Sequence, residues 1–223
     1  MFCLYIYKIK TNNIYIFNMN NIKIFENDLP SDIDLSNEKV IGIDNEALGL
    51  VLGRDPLTLV QLGLESKKFY LIKLNRQTYE APNLVKILSN TSIQFVMHYA
   101  RQDLLWLKYH LKVEPKNIFC TKIASKLART ASSFHGYKDL VKELCGKDIS
   151  KKEQQSDWGN PNLSQKQISY AAQDTEYLFE IKDKLTKMLI REKRFDLFLK
   201  SMKIVPTLVD MEMSGFKLSI LEH

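Results

Sequence analysis

The sequence contains only three cysteines and no long apolar run. Cys3, Cys120 and Cys145 form neither an even disulfide framework nor the close spacing of zinc ligands. Isolated thiols of this kind fit a reducing compartment, so we expect a cytoplasmic protein. No segment approaches the roughly 20 apolar residues needed to cross a bilayer, and residues 1–18 lack the apolar core and cleavage site of a signal peptide. We therefore expect no membrane partner.

Glycine and proline are also scarce, with 8 and 6 among 223 residues, which excludes collagen-like and low-complexity chains. A content of 45% hydrophobic and 26% charged residues is typical of a globular protein with one substantial core. The net charge of +6 fits a polyanionic partner, although many unrelated proteins carry a similar charge. We predict one domain over residues 19–203, an N-terminal extension of uncertain status over 1–18, and a C-terminal tail over 204–223.

Five segments have the apolar content and the flanking turns of strands, namely residues 21–25, 40–44, 57–64, 69–74 and 93–97. A turn signal at residues 54–56 precedes the third segment, and a short polar turn at residues 66–68 separates the third from the fourth. This pattern predicts an antiparallel meander of the second, third and fourth segments. Apolar periodicity predicts helices, the longest over residues 165–188 and the last from residue 194 to about residue 202, with an interruption at Pro206. Strands followed by helices that alternate with one more strand indicate an α/β fold, with a mixed five-stranded sheet flanked by helices.

Asp44 and Glu46 lie two residues apart at the end of the second predicted strand. Side chains at i and i+2 of a strand point to the same face, so the two carboxylates would leave the sheet side by side. Two unneutralised negative charges at such a short distance repel each other. The pair therefore predicts a bound cation.

Three further residues extend this pattern. Asp103 follows the fifth predicted strand near the start of a helix, and Tyr170 and Asp174 lie one turn apart on the longest predicted helix. Ala171 and Ala172 between them would let that helix approach the sheet closely. Each feature alone has an ordinary alternative, because Asp103 could cap its helix and the Tyr-x-x-x-Asp pair could lie on the surface.

The order of these motifs resembles that of the four-carboxylate-plus-tyrosine (DEDDy) branch of the DnaQ-like 3′–5′ exonucleases, and within it ribonuclease D and its short bacterial relatives. The resemblance covers roughly residues 20–185 and rests on the strings IGIDNEALGL (41–50), HYARQD (98–103), TKIAS (121–125), HGYKDL (135–140), QSDW (155–158) and YAAQD (170–174). It implies a ribonuclease H-like sheet and hydrolysis of phosphodiester bonds.

The resemblance also implies two divalent metal ions, Mg²⁺ or Mn²⁺, held by hard oxygen ligands. Asp44 would bridge the two ions, and Glu46 and Asp174 would complete the first site. Asp103 would hold the second ion through water, and Tyr170 would orient the attacking water.

The implied substrate is single-stranded nucleic acid with a free 3′ end. Leu50 matches a region where such enzymes wedge an apolar side chain against the terminal bases, with an ordinary core position as its alternative. Arg101, Lys151 and Lys152 are candidates for phosphate contacts, although charge runs are usually solvated faces. Tyr99 stands where many family members carry asparagine, so we expect the substrate contact of that asparagine to be made differently here.

The motifs do not decide which nucleic acid is cut. We expect RNA, trimmed as by ribonuclease D. The alternative is a proofreading-type exonuclease of DNA, because residues 204–218 resemble the segment that joins the exonuclease to the polymerase in bacterial family A DNA polymerases. A covalent or functional link to a DNA polymerase would follow, with residues 204–223 as a linker to a further domain. A nucleic-acid-binding module with a degenerate site is the non-enzymatic alternative.

Overall fold

The computed structural model describes residues 19–221, so the predicted extension over residues 1–18 lies outside it. Within that range the chain forms a six-stranded mixed sheet in the order β1-β4-β3-β2-β5-β6. The strands are β1 (Ile22–Glu26), β2 (Val40–Ala47), β3 (Leu57–Leu64), β4 (Phe69–Lys73), β5 (Gln94–Met97) and β6 (Ile118–Cys120). The mixed α/β fold is as predicted.

The antiparallel meander is confirmed, because β2 pairs with β3 and β3 with β4, both antiparallel. The other three pairings, β1 with β4, β2 with β5 and β5 with β6, are parallel. The sheet has one strand more than the five expected. The additional strand β6 has only three residues and continues directly into a helix, so its sequence is too short to carry an alternating pattern.

The described residues form seven α-helices around this sheet. They are α1 (Pro82–Leu88), α2 (Ala100–Leu111), α3 (Thr121–Ala128), α4 (Tyr137–Cys145), α5 (Gln165–Glu176), α6 (Leu178–Arg191) and α7 (Phe195–Met213). None of them is both long enough and apolar enough to span a membrane.

The helix predicted over residues 165–188 is divided at Tyr177 into α5 and α6. The hydroxyl of Tyr137 lies between the two helical turns, donating to the carbonyl of Gln173 at 2.9 Å and accepting from the backbone N–H of Tyr177 at 3.2 Å. It thereby replaces one hydrogen bond of the helical ladder, and an inserted side chain of this kind kinks or divides a helix.

The interruption predicted at Pro206 is wrong, because α7 runs through this residue to Met213. Val205 and Val209 are buried in the core on the inner face of α7. The free energy gained from this burial offsets the cost of the hydrogen bond that proline cannot donate. Lys108 and Asp210 also join α2 to α7. Residues 204–213 therefore continue a helix that begins inside the predicted domain, and the division of the chain at residue 203 stays a prediction.

Helix α5 approaches the sheet closely at two glycines. Gly42 on β2 and Gly63 on β3 are directly opposite each other, and a Cβ added to either would lie within 3.4 Å of α5 or of the start of α6. The absence of side chains at these positions lets Thr175 rest on the sheet. The C-terminal half of α5 is thereby held over β2 and β3.

Candidate active site

Asp44 and Glu46 lie on the face of β2 that α5 covers. Asp44 is paired with Gln61 and Glu46 with Leu59 on β3, and a register shift follows between Glu46 and Ala47. Gly42 lies on the same face, two residues before Asp44. The expectation that both carboxylates leave the sheet on one side is therefore borne out by the register.

Helix α5 brings Asp174 and Tyr170 to these carboxylates. Ser164 caps the helix through a reciprocal pair of hydrogen bonds with Gln167, which fixes where its turns begin. Ala171 is fully buried, and its small side chain lets α5 pack closely on the sheet. One ligand oxygen from each of Asp44, Glu46 and Asp174 lies within 4.8 Å of the others. The Tyr170 hydroxyl hydrogen-bonds with the carboxyl group of Asp174.

Asp103 approaches the same cluster from α2. It is buried, and its Oδ2 atom has no hydrogen-bond partner among residues 19–221. The side chain of Asn45 donates to the backbone carbonyl of Asp103 at 3.1 Å, and so ties the first turn of α2 to β2. Sequence reasoning assigned no role to Asn45. The available signal was the alternation of side chains along a strand, which puts Asn45 on the other face of β2 from Asp44.

The four carboxyl groups strongly disfavour their charged forms. Burial raises the pKa of Asp44 to about 7. Burial first, and then the neighbouring carboxylates, raise the pKa values of Glu46, Asp103 and Asp174 well above the ordinary range. Buried carboxylates of this kind require neutralisation. The donor set is all oxygen and one of its oxygens lacks a partner, which fits a hard divalent cation such as Mg²⁺ or Mn²⁺.

These pKa shifts predict a pH dependence of stability. The pKa of Asp44 rises from 3.8 to about 7 in the folded protein, so between these values the native state binds more protons than the unfolded state. Stability then falls as pH rises through this window. With a chelator present, we expect the midpoint of thermal unfolding to be lower at pH 8 than at pH 6. Saturating Mg²⁺ should reduce the difference, because the ion replaces the protons. A chelator-treated protein that is more stable at pH 8 than at pH 6 would contradict this prediction.

A cavity of about 870 Å³ lies over the carboxylates. Leu50, Tyr99 and Lys151 line it, with Leu50 83% and Tyr99 37% exposed. Leu50 is thus not a core residue, the alternative considered for it. Arg101 and Lys152, also predicted to contact substrate, are not part of the cavity lining.

Tyr99 and Arg101 form a unit at the mouth of the cavity. Tyr99 has a positive φ of 72°, and its ring lies 3.9 Å from the Lys122 ammonium and 5.1 Å from the Arg101 guanidinium. Arg101 also forms an ion pair with Glu212 of α7. The guanidinium of Arg101 is therefore already paired within the protein. This geometry favours a role for Arg101 in supporting Tyr99, and not the phosphate contact expected from the sequence.

His98 lies in the cavity wall but is held by a protein partner, with its Nδ1 atom 2.9 Å from Oγ1 of Thr121. Burial lowers its pKa to about 3, so the imidazole is neutral at physiological pH. A neutral imidazole adds no positive charge to the cavity. Its contact with Thr121 fits a structural role for His98.

A model of a 3′–5′ exonuclease family matches residues 26–190. The chain is 36% identical over 154 residues to ribonuclease D of Xanthomonas oryzae pv. oryzae, and 33% identical over 155 residues to DNA polymerase I of Aquifex aeolicus. These alignments cover 69% and 70% of the chain, but 42% and 25% of the two relatives. The chain thus spans about two fifths of the length of the ribonuclease D that it matches.

One solved protein matches over nearly its whole length. NrnC of Brucella melitensis is 38% identical, with a TM-score of 0.84 over 88% of this chain and 95% of that one. The same protein has been solved with bound Mg²⁺, at a TM-score of 0.82, and bound to pGG, at 0.83. Ribonuclease D of Escherichia coli, at 23% identity and a TM-score of 0.68 over 78% of this chain and 46% of that one, shares the fold.

Proposed function

We propose that this chain, which belongs to the 3′–5′ exonuclease family, hydrolyses phosphodiester bonds stepwise from the 3′ end of single-stranded nucleic acid. The observation that carries the proposal is the convergence of Asp44, Glu46 and Asp174, whose oxygens lie within 4.8 Å of one another. Asp103 adds a buried carboxylate from a separate helix. A degenerate binding module would have no need to keep four such costly groups together.

Two divalent cations, when bound, would neutralise the charge that develops on the attacking and leaving oxygens. Asp44, Glu46 and Asp174 would hold the first ion, and Asp44 with Asp103 would hold the second. The NrnC structure with bound Mg²⁺ supports this ion as a candidate. Both the number of ions and their identity are part of what we propose.

Tyr170 positions the attacking water in this scheme. Burial and the nearby carboxylate of Asp174 raise the pKa of Tyr170 far above its ordinary value, so the phenol keeps its proton at physiological pH. A protonated phenol can orient a water by hydrogen bonding but cannot accept a proton from it. Deprotonation of the water would therefore depend on the metal site and not on Tyr170.

The substrate class we propose is RNA, since ribonuclease D is among the relatives. The match to the polymerase of Aquifex aeolicus favours a DNA proofreading activity, linked to a DNA polymerase, as the second candidate. The NrnC structure bound to pGG adds short 5′-phosphorylated oligonucleotides to the substrates worth testing. Leu50 and Tyr99 at the cavity mouth would contact the terminal bases.

The test is degradation of 5′-labelled single-stranded RNA, single-stranded DNA and a dinucleotide with Mg²⁺, with Mn²⁺ or with a chelator. We expect stepwise shortening from the 3′ end that requires the metal and is fastest on RNA. Trimming that continues in the chelator, or cleavage of a circular substrate, would contradict the mechanism. Faster degradation of DNA would instead support the proofreading candidate.

Lys151 and Lys152 offer a matched pair for substrate binding. Only Lys151 lines the cavity, so we expect Lys151→Ala to raise KM on the order of tenfold with little change in kcat, through loss of a charge-assisted phosphate contact. Lys152→Ala should change KM less than about twofold, as expected for a solvated surface charge. Steady-state kinetics on a labelled oligonucleotide, at two salt concentrations, measure both. Equal effects of the two substitutions would show that the cavity does not define the substrate path.

A further inference from the structure

Gln61 is a fully buried polar residue in the middle of β3, at 0% exposure. Neither its amide oxygen nor its amide nitrogen has a hydrogen-bond partner in the part of the chain that the structure describes. Burying an amide without a partner is costly, and apolar residues are normally found in such positions. A glutamine at this position therefore indicates a specific hydrogen-bond partner.

The sheet register identifies that partner. Gln61 is directly opposite Asp44 on β2 and opposite Leu71 on β4, and its neighbours on the same face of β3 are Leu59 and Gly63. Directly opposite residues have Cβ atoms about 4.5–5.5 Å apart. Of the four flanking positions, Asp44 alone carries a polar side chain.

Helix α5 closes the space above Gln61, and no polar group of this helix hydrogen-bonds with the Gln61 amide. Leu59 and Leu71 pack with Ala171 and Tyr170 of α5 in one apolar cluster. The hydroxyl of Thr175, which lies over Gly63, donates to the carbonyl of Ala172 at 3.1 Å. Gln61 does not line the substrate cavity. It lies beside Asp44 on the neighbouring strand.

We propose that Gln61 is a positioning residue for the metal centre, whose amide N–H donates to the carboxylate of Asp44 once that carboxylate is ionised. The inference rests on the proposed metal site. An ionised carboxylate only accepts hydrogen bonds, and a carboxylate that would help to hold the proposed ions needs a fixed orientation. An amide can do this without adding a fifth negative charge to a cluster of four carboxyl groups. Such outer partners orient metal ligands and raise metal affinity.

The test compares Gln61→Met and Gln61→Leu with Leu71→Met, a substitution that changes packing on the other side of Gln61 without removing a polar group. Two quantities are measured, the affinity for Mn²⁺ by titration calorimetry and the midpoint of thermal unfolding with a chelator. We expect both Gln61 variants to bind Mn²⁺ about 10- to 100-fold more weakly. Their metal-free midpoint should be unchanged or higher, because an unpaired buried amide has been replaced by an apolar group.

Two results would overturn the inference. One is an unchanged Mn²⁺ affinity in a folded Gln61 variant. The other is a fall in both affinity and metal-free midpoint that Leu71→Met reproduces, since packing alone would then explain the effect. Failure of the proposed function is separable from both, because the unsubstituted protein would then bind no Mn²⁺ or show no metal-dependent trimming.

Discussion

Replacing Asp44 with asparagine is expected to abolish metal-dependent 3′–5′ trimming, with a loss in kcat of about 10³-fold or more. Asp44 lies in the carboxylate cluster with Glu46 and Asp174, and by the proposed mechanism both ions depend on it. Asparagine keeps the shape of the side chain but removes the charge that would hold the cations. The measurement is the rate of shortening of a labelled oligonucleotide at saturating Mg²⁺.

The same substitution should leave the protein folded. Burial raises the pKa of Asp44 to about 7, so a neutral side chain relieves a cost that the metal-free protein bears at neutral pH. We therefore expect the metal-free midpoint of unfolding at pH 8 to be unchanged or higher in the variant. A matched control is Asp183→Asn on α6, whose exposed carboxylate pairs with Lys182 and whose loss should not alter trimming. An Asp44→Asn protein that trims at the normal rate would refute the proposed metal centre.

Replacing Gly63 with alanine is expected to impair both stability and activity. A Cβ at this position would lie 2.5 Å from Oγ1 and 2.8 Å from Cβ of Thr175, so α5 must move away from β3. Overpacking of this kind typically costs about 1–3 kcal/mol. Because α5 carries Tyr170 and Asp174, a small displacement would also separate these groups from Asp44 and Glu46. Chemical denaturation and the trimming rate measure the two effects.

Two further variants identify the cause of the Gly63 effect. Gly42→Ala on the facing strand should be milder, because the nearest atom is a flexible side-chain end, Leu178 Cδ1 at 3.2 Å. Adding Thr175→Ala to Gly63→Ala should recover part of both losses, since it removes the closer of the two clashing atoms. If the double variant is no better than Gly63→Ala, the close approach of α5 is not the cause.

The strands of the meander were predictable because their signals are local. Each is an apolar run with a turn signal beside it, and the four-residue polar turn between β3 and β4 favours antiparallel pairing. The division at Tyr177 was not predictable, since it depends on the hydroxyl of Tyr137, which lies 40 residues earlier in the chain. The continuation of α7 through Pro206 was missed for a similar reason. Its stability comes from burial of Val205 and Val209, which the local sequence does not reveal.

For the site, the sequence by itself determined the types of the candidate side chains and their local spacing. The alternation of a strand places Asp44 and Glu46 on one face, and the period of a helix places Tyr170 and Asp174 one turn apart. These are properties of neighbouring residues, so they hold wherever the segments lie in the fold. The resemblance of the ordered motifs to one exonuclease branch followed from the same local strings.

Only the tertiary structure decided which side chains work together. It distinguished Lys151 in the cavity wall from Lys152 outside it, paired Arg101 with Glu212, and placed Gln61 directly across from Asp44 in the sheet. Burial and pairing depend on segments that are distant in sequence, and a residue's type does not reveal which segment will cover it. The pair at Asp44 and Glu46 therefore predicts a cation from the sequence, while the groups that hold that pair in place become visible only in the folded chain.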